Sequence, residues 1–172
     1  EGKSFELVTA KPMDCSLDHS VIGLIDHAHV PFVHQSWFFR KSSNLKLKEK
    51  NFAPSHLGFT MVRHEPSKNS AAYKILKKEQ TTEISFQIPG IRIEHLIIGD
   101  NTILIMTTLT PVNEDTTVLT QFLYTDIKWV HWLKPILYRF ADTFIQQDVD
   151  VFKKLKEGLN NNPPLMLMGD PD

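Results

Sequence analysis

Between Asp26 and His34 the chain reads Asp-His-Ala-His-Val-Pro-Phe-Val-His, setting three imidazoles and a carboxylate among apolar side chains that are ordinarily buried. Asp26 and His29 are three apart and share one face of a helix. His34 lies five beyond His29, which on a continuous helix turns it about 140° away, at about 100° per residue. Pro31 biases Val30 away from helical geometry, and a chain that breaks there swings His34 back toward His29. Two neutral imidazoles converging beside a carboxylate suit a divalent metal of the nitrogen and oxygen kind. The same spacing also fits a helix end whose histidines are solvated or hydrogen-bonded.

A second titratable group stands out near the C-terminus. Phe140, Phe144 and Phe152 recur at four-residue steps, and the residue that completes the series is Asp148. A carboxylate on an inward face must be protonated, paired, opened to water by a cavity or bound to a cation, because desolvating it costs several kcal/mol, on the order of the ionic penalty in real proteins. A helix rotated enough to expose Asp148, or a neighbouring Lys or Arg, accounts for it equally well. Asp142 and Asp150 fall off this stripe. Taken together, His29, His34 and Asp148 make the two-histidine, one-carboxylate facial set of non-haem Fe(II) oxygenases.

The elements that must carry these groups are legible in outline. Ser4 to Thr9 reads as a short strand ended by Lys11-Pro12. Asp14 to Asp18 supplies N-cap choices for a helix from about His19 into the histidine motif. Residues 35–55 read as a surface excursion with one strand, or as a cover over a pocket. From residue 56 the pattern becomes that of strands: His56–His64, Ala71–Leu76, Thr82–Ile88, Ile91–Ile98, Thr102–Thr110 and Thr116–Thr125. Short turns such as Pro89-Gly90 and Gly99-Asp100-Asn101 leave no room for crossover helices, so these strands form an antiparallel meander. A long helix follows from about Asp126 to Leu159, with an apolar stripe of Trp129, Leu133, Ile136, Leu137, Phe140, Phe144, Val151, Phe152 and Leu155. Pro135 predicts a kink or restart near Lys134.

Composition narrows the classes. The 172 residues suffice for one domain with a real core. A net charge of −1 offers no general field for nucleic acid, and no apolar run reaches the roughly 20 residues that span a bilayer. Cys15 is the single cysteine, which excludes an internal disulfide and any thiolate cluster built from this chain.

The motif Asp26-x-x-His29-x4-His34, with Asp148 in Gln146-Gln147-Asp148, resembles the catalytic domain of Rieske non-haem iron oxygenases. Pro31-Phe32-Val33-His34 and the closing Met168-Gly169-Asp170-Pro171-Asp172 are similar to the branch containing pheophorbide a oxygenase and vanillate O-demethylase. The resemblance implies an α+β, helix-grip (START/Bet v 1-like) domain: an antiparallel sheet with a long C-terminal helix. It implies a mononuclear Fe(II) held by His29, His34 and Asp148, with Asp26 as the electron-transfer bridge. A Rieske [2Fe-2S] cluster would lie on a missing N-terminal domain or another chain, because its Cys-x-His and Cys-x-x-His pair has no counterpart here. On that view residues 1–172 are one catalytic domain, cut at both ends. Many relatives carry an Asn in the turn before the Asp, where this chain has Val21-Ile22-Gly23-Leu24-Ile25.

The implied activity is O2-dependent hydroxylation or oxidative demethylation of an aromatic or other apolar substrate, fed by a reductase or ferredoxin, in a homotrimer. The implied compartment is the cytoplasm, or the plastid stroma of a photosynthetic eukaryote. Phe59, Phe86, Leu104, Met106 and Phe122 are candidates for the substrate pocket on the concave sheet face, and each also reads as plain core. His27 reads as a neighbour of the site or as surface, and His19, His56, His64, His95 and His131 as structural. Two other functions fit the same domain: an apolar-ligand carrier without catalysis, and a zinc-dependent hydrolase.

Overall fold

A computed structural model of the chain describes residues 5–26, 29, 33–34, 49–65, 79–159 and 161. Among these the dominant element is a seven-stranded antiparallel sheet in the order β1-β7-β6-β5-β4-β3-β2. Its strands are β1 (Phe5–Met13), β2 (Phe52–Ser55), β3 (Gly58–His64), β4 (Gln80–Gln87), β5 (Ile91–Ile98), β6 (Asn101–Asn113) and β7 (Thr116–Thr125). Strands β2 to β7 form a meander, and β1 closes the edge beside β7. Helix α1 (Leu17–Ile25) follows β1, and a 3-10 helix (Lys128–Leu133) leads into the long helix α2 (Lys134–Leu159). This is the expected α+β architecture. The expected strand Ala71–Leu76 lies outside the described residues.

Differences from the expected elements have local causes. β1 continues through Lys11-Pro12 to Met13. A proline lacks the N–H a central strand must donate, but β1 is an edge strand, where that loss is tolerated. The stretch His56–His64 holds one strand, β3 from Gly58 onward, with His56-Leu57 forming the turn that joins it to β2. Leu57 takes φ 56°, and a Cβ at Gly58 would sit 1.8 Å from the Phe86 carbonyl oxygen. The long helix divides where Pro135 predicts, since proline is accommodated in a first helical turn and not further in.

The register sorts the side chains of the sheet. Successive residues point to opposite faces, and residues directly paired across strands share a face. Leu7, Leu123 and Ile103 pack with Ala141 and Leu137 of α2, while Met13, Leu119 and Leu109 pack with Ile145 and Phe152. These residues define the inner, helix-covered face, to which Phe86 and Phe59 also belong through their pairing. Leu104, Met106 and Phe122 alternate with inner residues and therefore lie on the outer face, where Met106 pairs with Phe122 and Leu104 with Tyr124. Three of the five pocket candidates are thus corrected by strand parity.

Helix α1 begins at Ser16, whose hydroxyl accepts from the His19 backbone N–H. It ends at Ile25, before the histidine motif rather than within it, with Asp26 turning into extended backbone at ψ 110°. The inward face of α2 is Ala141, Ile145 and Phe152, rotated from the expected stripe, and Trp129, Ile136, Val151 and Leu155 are exposed. The two helices meet closely at one point. A Cβ on Gly23 would lie 2.4 Å from Cζ of Phe152, so a side chain there requires that buried ring to move. Lys11, on the inner face of β1, pins α2 to the sheet edge through Asp142 at 2.9 Å and Gln146 at 2.8 Å. No described helix is long and apolar enough to cross a membrane.

Candidate metal centre

The helix contact at Gly23 sets how near the end of α1 comes to α2, and the chemistry lies just beyond it. Asp148 is one turn before Phe152 on α2, and Asp26 is three residues after Gly23. Past Asp26 the Val33 N–H donates to the His29 carbonyl at 2.8 Å, which ties His34 close to His29. Both imidazoles lie against the same carboxylate. His34 Nε2 lies 3.3 Å and His29 Nε2 3.7 Å from Asp148 Oδ1. One ligand atom from each of the three residues falls within 4.8 Å of the others, the spacing of donors around a single ion.

Each donor is held by neighbours that decide which atom it presents. His34 is fully buried. Its Nδ1 lies 3.1 Å from Gln147 Oε1, which can only accept, so Nδ1 carries the proton and Nε2 keeps its lone pair. The Phe144 ring stacks on the imidazole at 3.6 Å between centroids and 14° between planes. His29 stands edge-on to His34, 5.5 Å between centroids, with Nδ1 3.9 Å from Asp26 Oδ2. Both histidines therefore turn Nε2 to Asp148 and Nδ1 to an oxygen of the surrounding protein, the arrangement that orients metal-binding imidazoles.

Electrostatics favour the same form. Burial pushes the His29 pKa below its ordinary value, and the His34 ring adds to that, against the opposing pull of Asp148 and Asp26. A neutral imidazole is the form that binds metal. The donor set, its compactness and its burial fit a divalent ion.

A groove runs along one side of α2, next to the centre. Its volume is about 650 Å3, and it is lined, among the described residues, by Pro135, Ile136, Arg139, Phe140, Thr143, Phe144 and Gln147. Its inner end is Phe144 and Gln147, the two residues that touch His34. Phe59 and Phe86 stack on each other at 4.9 Å and line a separate apolar hollow of about 90 Å3 beneath Val21, Leu24 and Ile25 of α1. Sequence reasoning missed Gln147 and Arg139, whose positions follow only from the helix rotation. His27 lies outside the described residues, and His19, His64 and His95 are engaged away from the centre by Ser16, the Val62 carbonyl and Arg63.

Comparison with known proteins bears on the family and the fold. The model of the vanillate O-demethylase oxygenase C-terminal domain matches residues 13–171. Among solved structures, dicamba monooxygenase bound to dicamba superposes with a TM-score of 0.70 at 14% identity, covering 95% of this chain and 53% of that one. NdmA of Pseudomonas putida CBB5 with caffeine gives a TM-score of 0.65 at 11% identity, covering 87% of this chain and 43% of that one. The chain thus spans about half the length of the proteins whose fold it shares. No curated protein sequence matches it. With the match running through all three metal-binding candidates, the chain belongs to the vanillate O-demethylase oxygenase C-terminal domain family.

Proposed function

We propose that this chain is the catalytic domain of a terminal oxygenase, performing O2-dependent hydroxylation or oxidative demethylation of an aromatic or other apolar small molecule at one non-haem Fe(II). The observation that carries the reading is the convergence of His29 Nε2, His34 Nε2 and Asp148 Oδ1 in a protein of this family. Fe(II) bound by such a facial set supplies O2 activation once electrons reach it. His29, His34 and Asp148 bind the ion. Gln147 and Phe144 keep the His34 ring in the tautomer and plane that present Nε2. The groove that ends at the same two residues seats the substrate, its walls supplied by Phe140, Thr143 and Ile136.

The electrons would be supplied by a Rieske [2Fe-2S] cluster on another domain or subunit, charged by a reductase or ferredoxin, since Cys15 alone cannot provide the two thiolates such a cluster needs. Asp26 sits half-exposed between His29 and solvent, which suits a link from that donor to the ligand. A homotrimer would bring a neighbour's cluster to this face. The cytoplasm, or a plastid stroma, supplies the reducing partners the reaction needs.

Nitric oxide, a surrogate for O2, tests the open coordination that oxygenation requires. The chain loaded anaerobically with Fe(II) should give the quartet-spin EPR signal of a ferrous nitrosyl, and Asp148→Ala should lose it. An iron-loaded wild type that binds no nitric oxide would contradict the reading.

A further inference from the structure

Among the described residues, the 3-10 helix and the first turns of α2 carry the most exposed aromatic side chains. Trp132 is 88% exposed and Trp129 59%, with Ile136 and Tyr138 exposed beside them. Residues three apart eclipse on a 3-10 helix, so the two indoles project from the same side. Stable soluble surfaces seldom leave two tryptophans in water without a use for them. The charge of this stretch is equally one-sided. From Ile127 to Ala141 there is no Asp or Glu, while Lys128, Lys134 and Arg139 are all exposed, on a chain whose net charge is −1.

Tryptophans flanked by cations are the composition of segments that rest in the headgroup region of a bilayer. The groove beside the metal centre is lined by the same turns of α2. Pro135, Ile136 and Arg139 line its outer end, one turn from Trp132, and Phe144 and Gln147 line its inner end against His34.

We propose that this face docks peripherally on an anionic lipid surface, with Trp129 and Trp132 among the headgroups and Lys128, Lys134 and Arg139 against the lipid phosphates. The groove then receives apolar substrate from the bilayer rather than from water. The docking stands on the surface alone, while the use of the groove rests on the metal-centre reading. A protein partner would bury the same tryptophans, but it gives no reason for the absence of every acidic side chain over this stretch.

Vesicle flotation with the metal-free chain separates these outcomes. Binding to phosphatidylcholine vesicles containing phosphatidylglycerol should be at least about tenfold tighter than to phosphatidylcholine alone, with a blue shift of tryptophan emission. Lys128→Gln and Lys134→Gln should each weaken it about fivefold, as expected for one cation at an anionic surface. Trp132→Ala should weaken it while leaving the circular dichroism unchanged, the side chain being almost wholly in water. Equal binding to both vesicle types, or variants that bind like the wild type, would overturn the proposal. So would concentration-dependent self-association in place of vesicle binding. Iron loading of the same preparation reports on the metal centre separately, so failure of one does not imply failure of the other.

Discussion

His34 Nε2 lies 3.3 Å from Asp148 Oδ1, one atom from an early turn and the other from a late helix. Neither residue is placed by its own element alone. Asp148 is carried by a helix whose opposite flank is fastened to the edge strand by Lys11, and His34 is held by Gln147 and Phe144 of that same helix. The carboxylate and the supports of His34 thus lie on neighbouring turns of one helix, which keeps the imidazole and the carboxylate in register.

Gln147→Leu removes the acceptor at His34 Nδ1. Metal affinity should fall about ten- to hundredfold, the usual effect of losing a group that orients a ligating histidine. The metal-free chain should also lose about 1–3 kcal/mol of stability, because a buried N–H is left without its partner. Gln147→Glu keeps an acceptor and should recover much of the affinity. Competition titration with a chromophoric chelator measures the affinity, and urea unfolding the stability. Equal metal affinities for wild type and Gln147→Leu would remove the orienting role.

Gly23→Ala places a methyl group against the buried Phe152 ring and should destabilise the chain by about 1–3 kcal/mol, the range for overpacking. Phe152→Leu opens space at the same contact, so the double variant should be more stable than the sum of the single effects predicts. Urea midpoints for the four proteins check the coupling. Simple additivity would mean that the helix contact does not set the spacing of α1 and α2.

The sequence showed the chemistry more clearly than its surroundings. The periodicity of β5 and β7 and the Pro135 restart were legible because each rests on local rules of alternation, turn chemistry and proline geometry. The grouping of Asp26, His29 and His34 was legible because it is contiguous. Strand parity was not, since the face on which Met106 or Phe122 falls depends on which side the helices cover. Nor was the rotation of α2: Ala141 and Ile145 outcompete Ile136 and Leu155 for the sheet because β1 and β7 present Leu7, Met13 and Leu119 there. Gly23 read as a mere departure in sequence, and its use is visible only against Phe152.

Cys15 gives a pH prediction of definite sign. Burial pushes its thiol above the ordinary value, outweighing the hydrogen bond with Ser20 at 3.0 Å. The folded chain holds this proton more tightly than the unfolded one. The associated stability is therefore fully present below the unfolded thiol pKa of about 8.5 and is lost as pH rises toward the folded value. Unfolding free energy should decline more steeply with pH in that window for wild type than for Cys15→Ala. Parallel curves would contradict the assignment. Thiol reagents at neutral pH should label Cys15 only as fast as the chain opens.

Asp26→Asn should separate metal binding from electron delivery. Asp26 lies 3.9 Å from His29 Nδ1 and outside the three-donor set, and Asn keeps a carbonyl oxygen that can face that nitrogen, so iron content should stay within about twofold, less than the usual outer-shell loss. With a separately supplied, reduced Rieske protein as donor, reduction of the iron centre should slow sharply. Wild-type rates in Asp26→Asn would exclude the bridging role.

The central claim is that His29, His34 and Asp148 hold one metal ion. Anaerobic titration of the purified chain with Fe(II), followed by gel filtration and elemental analysis, tests it most directly. The wild type should retain about one iron per chain, as a single facial triad requires. His29→Ala, His34→Ala and Asp148→Ala should each retain little, while folding as judged by circular dichroism. Iron retained at the wild-type level by His34→Ala and Asp148→Ala would contradict the account.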